Sequence, residues 1–573
     1  MLDPRADEEA IYSHGLTGIA AVKSYLSSIG RRDGQLTDSE SVAGNLQAIA
    51  ECWQARPVDK KISVSGQIAR MLDPQWWTRN LRRAMLRENE ANERAAGNIR
   101  RSKQCYVSDF GLKRTKERAK KNRETLEALE VMNEAGEAVN LLEVADASVS
   151  NPKLRRGELM TRCRGFEEMA EVMGHEAVFL TITAPSRFHK FSQHGDNKKW
   201  TGETTSDAQG YLCKVFAKIR AAWKRLGLVV YGFRVSEPHH DGCVHWHLLL
   251  FVEAAQVGWF DPALYQTFVD QKRRGHIGPM LPVVGPSLSA AAYGGGVVGI
   301  AGAYALQSDA LERGAAEHRF TCVNVDKSRG SATGYIAKYI CKNIDGIKED
   351  GAQVGLDFDS GTDAEAASQS VRAWACINGI RQFQQIGGPS VTVWRELRRL
   401  EEDAEKPIQL QLFEGARAAA DQGNWMAFWS VQGGTAVAKS DLALSPAYTS
   451  EETGKYGDAV ERVHGVNSKC GSFIKTRAHT WRIQRAGRAD VDRVDNFQRS
   501  IFKKYGSAMA VAMLNPADFD PEFLGAERPR TGVNNCTADA ETSDDFYLRL
   551  DLLRGQGGPI WDESPPHRAA PGH

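Results

Sequence analysis

The sequence lacks an excess of charge of either sign. Lys and Arg number 73 and Asp and Glu 72, for a net charge of +1. That excludes a bulk polycation of the histone-like kind but leaves room for local basic patches. Paired cysteines are also lacking. Ten run from Cys52 to Cys536 and no two form a Cys-x-x-Cys pair, which excludes a zinc ribbon. Thiols in a reducing cytosol are expected instead. There is no long hydrophobic run. Residues 275–308 carry no Asp, Glu, Lys or Arg, but Pro279, Pro282 and Pro286 break the first half and glycines dilute the second. A spanning helix needs about 20 strongly apolar residues, so a small-residue loop or packing segment is expected there, and no membrane contact. The opening MLDPRADEEA has neither the basic nor the apolar region of a signal peptide. What is present is ordinary for a globular chain: 42% apolar and 25% charged residues exclude wholesale disorder. The 573 residues allow about three or four domains.

Residues 1–160 read as a mainly helical region. Within it, 100–123 hold ten Lys or Arg against two acids. Such a run is either a solvated helix face or a surface that tracks phosphates. From Ala177 the texture changes. AVFLTITAP, GLVVYGFRVSE, CVHWHLLLFVE and RFTCVNVD are β-rich, and an Asp-Gly turn signal stands between the middle two. SATGYIAKYICKNI then reads as a helix capped by Ser331. Strands followed by helices make the fold class α+β. The boundaries drawn are 161–350 for the strand-bearing domain, 351–420 for a helical extension, and 421–573 for a C-terminal region with a partly disordered tail.

The sharpest local feature is His245-Trp246-His247 in an apolar strand. Residues two apart on a strand share a face, about 7 Å apart along the backbone, which suits two ligands of one ion. If the hairpin turns across His240-Asp241-Gly242, Glu237 falls opposite His245 and joins the same face. Two His and one carboxylate with open positions is a catalytic type of metal site. A one-residue slip would turn Glu237 away and leave His239 and His240 as alternative ligands. Surface histidines on a plain hairpin are the bland reading.

Tyr335 and Tyr339 stand four apart in the expected helix, one turn apart on one face, with Lys338 near the edge of that face. Tyrosines at this spacing commonly just pack in a core. Beside a metal they suggest a chemistry. A tyrosine can be a covalent nucleophile, a metal can polarise a phosphate oxygen, and a lysine can stabilise a phenolate whose ordinary pKa is near 10. The reaction that needs tyrosine rather than water is reversible phosphodiester transfer, because the phosphotyrosine bond keeps the energy of the broken linkage. On reaction type the divalent ion expected is Mg2+ or Mn2+, although two imidazoles also suit softer ions.

At these residues the sequence resembles the replication gene A proteins of temperate tailed phages, within the HUH superfamily of rolling-circle initiators. FLTITAPSRFH (179–189) resembles the first family motif. EPHHDGCVHWHLLLF (237–251) resembles the second, with its paired histidines, and GSATGYIAKYICKNIDG (330–346) the third, with its two tyrosines. IRQFQQIGGPSVTVWRELRRL (380–400) resembles the segment that follows. The resemblance covers roughly residues 80–400. It implies an HUH nuclease domain, a central antiparallel sheet flanked by helices, with helical regions before and after it. It implies metal-binding His245 and His247, with Glu237 as acidic ligand, nucleophiles Tyr335 and Tyr339, and Lys338 between them. The implied activity is a strand-specific nick of single-stranded or supercoiled phage origin DNA in the cytoplasm of a bacterial host. A 5′-phosphotyrosine and a free 3′-hydroxyl result, the host helicase and polymerase being partners. Residues 275–308 look like an insertion against the family's spacing, and the chain beyond 400 matches nothing placed. A relaxase or single-strand transposase shares this chemistry. Relaxases put the tyrosine before the histidines, and here the order is reversed. A non-catalytic origin-binding regulator is the alternative of another class.

Overall fold

The computed structural model describes residues 3–30, 39–101, 103–192, 195–254, 319–328, 330–347, 357, 360–400 and 410–485. The uncharged 275–308 stretch and the expected tail lie outside the described residues. The N-terminal part is helical: α1 (Glu8–Gly30), α2 (Ser39–Cys52), α3 (Val64–Met71), α4 (Pro74–Ala95) and α5 (Asp109–Glu127). Asp73 caps α4 and Ser108 caps α5, each side chain accepting a backbone N–H of the first turn. Two short strands not expected from the sequence follow, β1 (Leu129–Asn133) and β2 (Ala138–Asn140). Next come α6 (Leu141–Asp146) and α7 (Pro152–Met173), and α7 runs straight through position 160.

The four β-rich runs are strands of one sheet: β3 (His175–Thr183), then, past the two-residue strands β4 (Phe191–Ser192) and β5 (Gly195–Asp196) and helix α8 (Thr205–Leu226), β6 (Tyr231–Pro238), β7 (Val244–Glu253) and β8 (Phe320–Asn324). The capped helix is α9 (Ala332–Ile344), followed by α10 (Ala364–Asn378) and β9 (Phe383–Ile386). Strand order is β8-β3-β7-β6-β9, and every pairing is antiparallel. The edge strand β9 comes from the segment expected to be a mostly helical extension. Its pairing with β6 spans about 150 residues of chain, which no local pattern encodes.

Alternation along the strands decides what each face meets. Val178, Leu180, Ile182, Trp246, Leu248 and Leu250 pack against α8 and α10 through Phe216, Ile219 and Trp374. Phe179, Phe233, Val235, Leu249 and Phe251 face the opposite layer, formed by α7, α9 and the later helices α11 (Val391–Leu397), α12 (Gln411–Asp421) and α13 (Trp425–Val431). Phe166 of α7 contacts Tyr231, Phe233, Trp425 and Trp429, with ring centroids 5.2–6.2 Å apart. Beneath that layer Glu158 takes both Arg395 donors at 2.8 Å. Burial raises its carboxyl, but Arg395 and Arg162 pull it down to about 2.

The C-terminal region contributes β10 (Leu444–Thr453), β11 (Ala459–Ser468) and β12 (Phe473–Lys475) as one antiparallel sheet, and β13 (Trp481–Arg485). The last pairs with β1, tying the end of the described chain back to the N-terminal region. No disulfide joins the described cysteines. No described helix is long and apolar enough to cross a membrane.

A candidate metal and tyrosine site on the central sheet

The β6–β7 hairpin frames the site. Its loop is His240-Asp241-Gly242, closed by His239 N–H to the Cys243 carbonyl at 2.6 Å and Gly242 N–H to the His239 carbonyl at 2.8 Å. Gly242 has φ +76°, the left-handed conformation that a three-residue hairpin loop needs at this place. This turn fixes the register, and Glu237 pairs with His245 as the sequence predicts. His245 and His247 therefore share the face of Leu249 and Phe251, towards α9.

The donor atoms converge. His247 Nε2 and His245 Nε2 lie 3.5 and 3.8 Å from the same Glu237 oxygen and 3.0 Å from each other. The three side chains form the one cluster of metal-ligating groups among the described residues, all ligand atoms lying within 4.8 Å. Two imidazole nitrogens and a carboxylate aimed at one point fit a divalent ion with open positions. Thr181, opposite His247 on β3, sits with its hydroxyl 3.0 Å from His247 Nδ1, which leaves Nε2 for the shared point. Glu237 is buried, which favours its neutral form. A hydrogen bond and charge from His247, with help from Lys342 and Asn343, still bring its pKa below the ordinary value. Burial pushes the His245 pKa well below its ordinary value, and His239, His247 and Lys342 push the same way. A neutral imidazole and an ionised carboxylate are the forms that bind metal.

Helix α9 lies over this face. Ser331 accepts the Gly334 N–H at 3.0 Å, the cap the sequence predicts. The two tyrosines are not equivalent. Tyr335 is 39% exposed, whereas Tyr339 is half-buried with its ring 4.1 Å from that of His247. Phe179 touches both, at 5.8 and 5.3 Å. Burial raises the Tyr339 pKa and the Glu237 charge adds to the rise. Lys338 is exposed, and among the described residues it forms no hydrogen bond or ion pair. Besides Tyr339, one polar side chain of α9 that reaches inward, Asn343, is not among the site residues expected from the motifs. The Asn343 amide donates to Glu237 Oε1 and, at 2.7 Å, to the Tyr339 carbonyl, while Gln382 donates to its oxygen at 3.1 Å. Asn343 follows Tyr339 by four, so helical spacing alone could have placed it beside the site.

His239, an alternative ligand, lies outside the three-residue cluster. Its ring packs on His245 at 4.0 Å, and His189 packs edge-on behind it at 5.0 Å. Asp241, fully buried, anchors this group. It accepts the backbone N–H groups of Lys190 and Cys243 at 3.0 Å and lies 3.4 Å from His189 Nδ1 and 3.5 Å from Arg94. The first and second sequence motifs are thus joined through one carboxylate. For His189, burial opposes the charge, but Cys243 and Asp241 win and raise it to about 10. For Asp241, burial is likewise overcome, by His189 and Arg94, and its pKa falls far below 3.8. We expect Asp241→Asn to cost about 3–5 kcal/mol of stability, as breaking a buried ion pair does. The lowered Asp241 stabilises above about pH 4 and stops doing so in acid. The raised His189 stabilises fully below about pH 6.5 and loses this as pH rises through about 10. Urea melts should therefore show the largest loss between about pH 4 and 6.5 and a smaller one towards pH 10. A pH-independent difference would contradict the pairing.

The basic run divides between a loop and α5. Gly111, Asn122, Thr125 and Leu126 are the buried side of α5, while Lys113, Lys116, Lys120 and Lys121 are exposed. Lys113 and Lys120 each face a glutamate only at 4.0 Å, a pairing of little strength at the surface. Gln at all four should reduce the salt dependence of single-strand binding, by about 0.7 in log–log slope per lysine that contacts a phosphate. An unchanged slope would mean a merely solvated face.

Comparison with known proteins sets this geometry in a family. The profile of the Bacteriophage replication gene A protein (GPA) family matches residues 43–347. That span holds the hairpin, Thr181 and all of α9. The chain belongs to this family. Its match reaches further towards the N-terminus than the motif resemblance did and stops before 380–400. The replication gene A protein of Escherichia phage 186 is 35% identical over 436 residues, 74% of this chain and 57% of that protein. That of Escherichia phage P2 is 32% identical over 487 residues, 80% and 58%. A probable replication endonuclease from a prophage-like region of Salmonella typhi is 32% identical over 443 residues, 75% and 50%. The chain spans half to three-fifths of the length of these relatives. No solved structure matches it significantly.

Proposed function

We propose that this gene A family protein initiates rolling-circle replication of a phage or prophage, cutting one strand of origin DNA through a tyrosine on an HUH-type nuclease domain. The observation that carries this reading is the Tyr339 ring 4.1 Å from His247, inside a buried Glu–His–His cluster, in a chain of this family. Glu237, His245 and His247 would hold a divalent ion, Mg2+ or Mn2+. When bound, it would supply Lewis-acid polarisation of the scissile phosphate.

The residues of the chain do the rest. A tyrosine oxygen attacks phosphorus, its proton leaves to solvent, and the O3′–P bond breaks. The tyrosine keeps the 5′-phosphate, the leaving O3′ takes up a proton from solvent, and the resulting 3′-hydroxyl is free for the host polymerase. Asn343 holds the Glu237 carboxylate and the Tyr339 backbone in one relation, so helix and ligand cannot drift apart. With two tyrosines on one helix, a second transfer can follow without release of the DNA. The free 3′ end then attacks the first phosphotyrosine and closes the circle.

Covalent linkage to a single-stranded origin oligonucleotide in the presence of Mn2+ tests the proposal. A denaturation-resistant adduct with an extendable 3′ end supports it. Tight binding with no adduct would favour the origin-binding regulator instead.

A further inference from the structure

Helices α1, α4 and α5 leave a cleft of about 510 Å³ between them, within the range of small-molecule sites. It lies away from the metal cluster, because Leu86 of α4 and Leu112 of α5 pack on the layer of Phe216 and Trp374, across the sheet from α9. Ile11, Met85, Leu86 and Phe110 make its walls apolar. The Phe110 ring sits 5.8 Å from the Arg114 guanidinium, and both are flat groups on which a nucleobase stacks. Five basic and three acidic side chains complete the charged lining, so the cleft carries a surplus of positive charge. The acids are already engaged. Arg82 takes Glu8 at 2.6 Å, and Glu117 and Glu124 lie 3.8–4.0 Å from cations of their own helix. Lys121 at the rim is exposed, and its ammonium forms no hydrogen bond or ion pair among the described residues. Asn122 is buried on the same wall, 7% exposed, and its amide has no hydrogen-bond partner among the described residues. An unpaired buried amide costs stability, so one kept on the wall of a cavity points to a ligand that pairs with it.

We propose that this cleft is a second binding site, for a nucleoside phosphate with adenine as its base. The apolar walls take the faces of the base. The Asn122 amide reads its edge, donating to N7 and accepting from the N6 amino group, the two-point pairing that asparagine makes with adenine. Guanine would turn its O6 acceptor towards the amide oxygen, and a pyrimidine has no N7. The Lys121 ammonium takes the phosphate as a point charge. The site is separate from the tyrosine chemistry and does not rest on it. Two sources present this ligand chemistry: an unstacked adenine of a single strand that meets the exposed lysines of α5, and a free nucleotide.

Calorimetry of the full chain with dAMP, dGMP and dTMP, without added metal ion, tests the proposal. A dT oligonucleotide with and without one central dA is titrated in parallel. One adenine should bind about tenfold or more tighter than the other bases, as a bidentate base contact provides. Asn122→Leu should erase that preference without lowering the melting temperature, because it removes a buried amide that has no partner in the free protein. Lys121→Gln lies at the exposed rim and should weaken all three nucleotides alike, leaving the preference intact. A gain from the single dA, competed by dAMP, identifies the strand as the source. Binding of dAMP with no gain from the dA identifies a free nucleotide. No binding of dAMP at millimolar concentration together with no gain from the dA would overturn the proposal. So would an adenine preference that survives Asn122→Leu, or equal binding of all three nucleotides.

Discussion

Alanine at both His245 and His247 is expected to abolish the proposed divalent-ion-dependent nicking and to leave the protein folded. Both imidazoles lie on the α9 side of the sheet, whereas the dense packing of Trp246, Leu248 and Leu250 is on the other side and stays whole. The β6–β7 register is held by the Gly242 turn and by the long ladder with β3, neither of which uses an imidazole. The loss of rate should be large. Charge stabilisation at a phosphate by a bound ion is worth several kcal/mol, so the nick should slow by about a thousandfold or more. Calorimetry with Mn2+ gives an independent readout, because the double variant should lose the binding isotherm as well. A double variant that nicks at the normal rate would remove the cluster from the mechanism.

How much of this was legible in the sequence depends on distance along the chain. The Glu237–His245 pairing was legible because one Asp-Gly turn and period-two alternation fix it within about ten residues. Helix α9 was legible from Ser331 and the spacing of Ile336, Ile340 and Ile344, all buried. Thr181 was not, since nothing local says that β3 lies beside β7 with Thr181 against His247. The same holds for β9 at the sheet edge, for β13 against β1, and for Arg94 reaching Asp241 across 147 residues. Lys338 was chosen by motif, yet the lysine drawn into an ion pair is Lys342. The helical period allowed either, and only the position of Asp357 separates them. The two strands at 129–140 were hidden in a run rich in helix formers, where pairing with β13 overrides propensity.

Loss of both phenol oxygens is the second large effect. Tyr335→Phe and Tyr339→Phe each remove one oxygen and keep the ring, so the Phe179 and His247 contacts survive. Each single variant should still nick a single-stranded oligonucleotide through the remaining tyrosine. Their helical spacing of one turn, about 5.4 Å, lets either reach a phosphate at the same cluster with a modest shift of the DNA. The double variant should form no covalent adduct, while still binding DNA and Mn2+. A full round of replication, with two transfers, should need both oxygens.

Mass spectrometry of the trapped adduct tests the central claim most directly. The protein is incubated with a single-stranded origin oligonucleotide and Mn2+, denatured and digested, and the peptide carrying the nucleotide is sequenced. The account predicts a 5′-phosphate on Tyr335 or Tyr339, within the peptide of α9, and none in the double phenylalanine variant. A nucleotide on any other side chain, or an adduct that persists in the double variant, would contradict it.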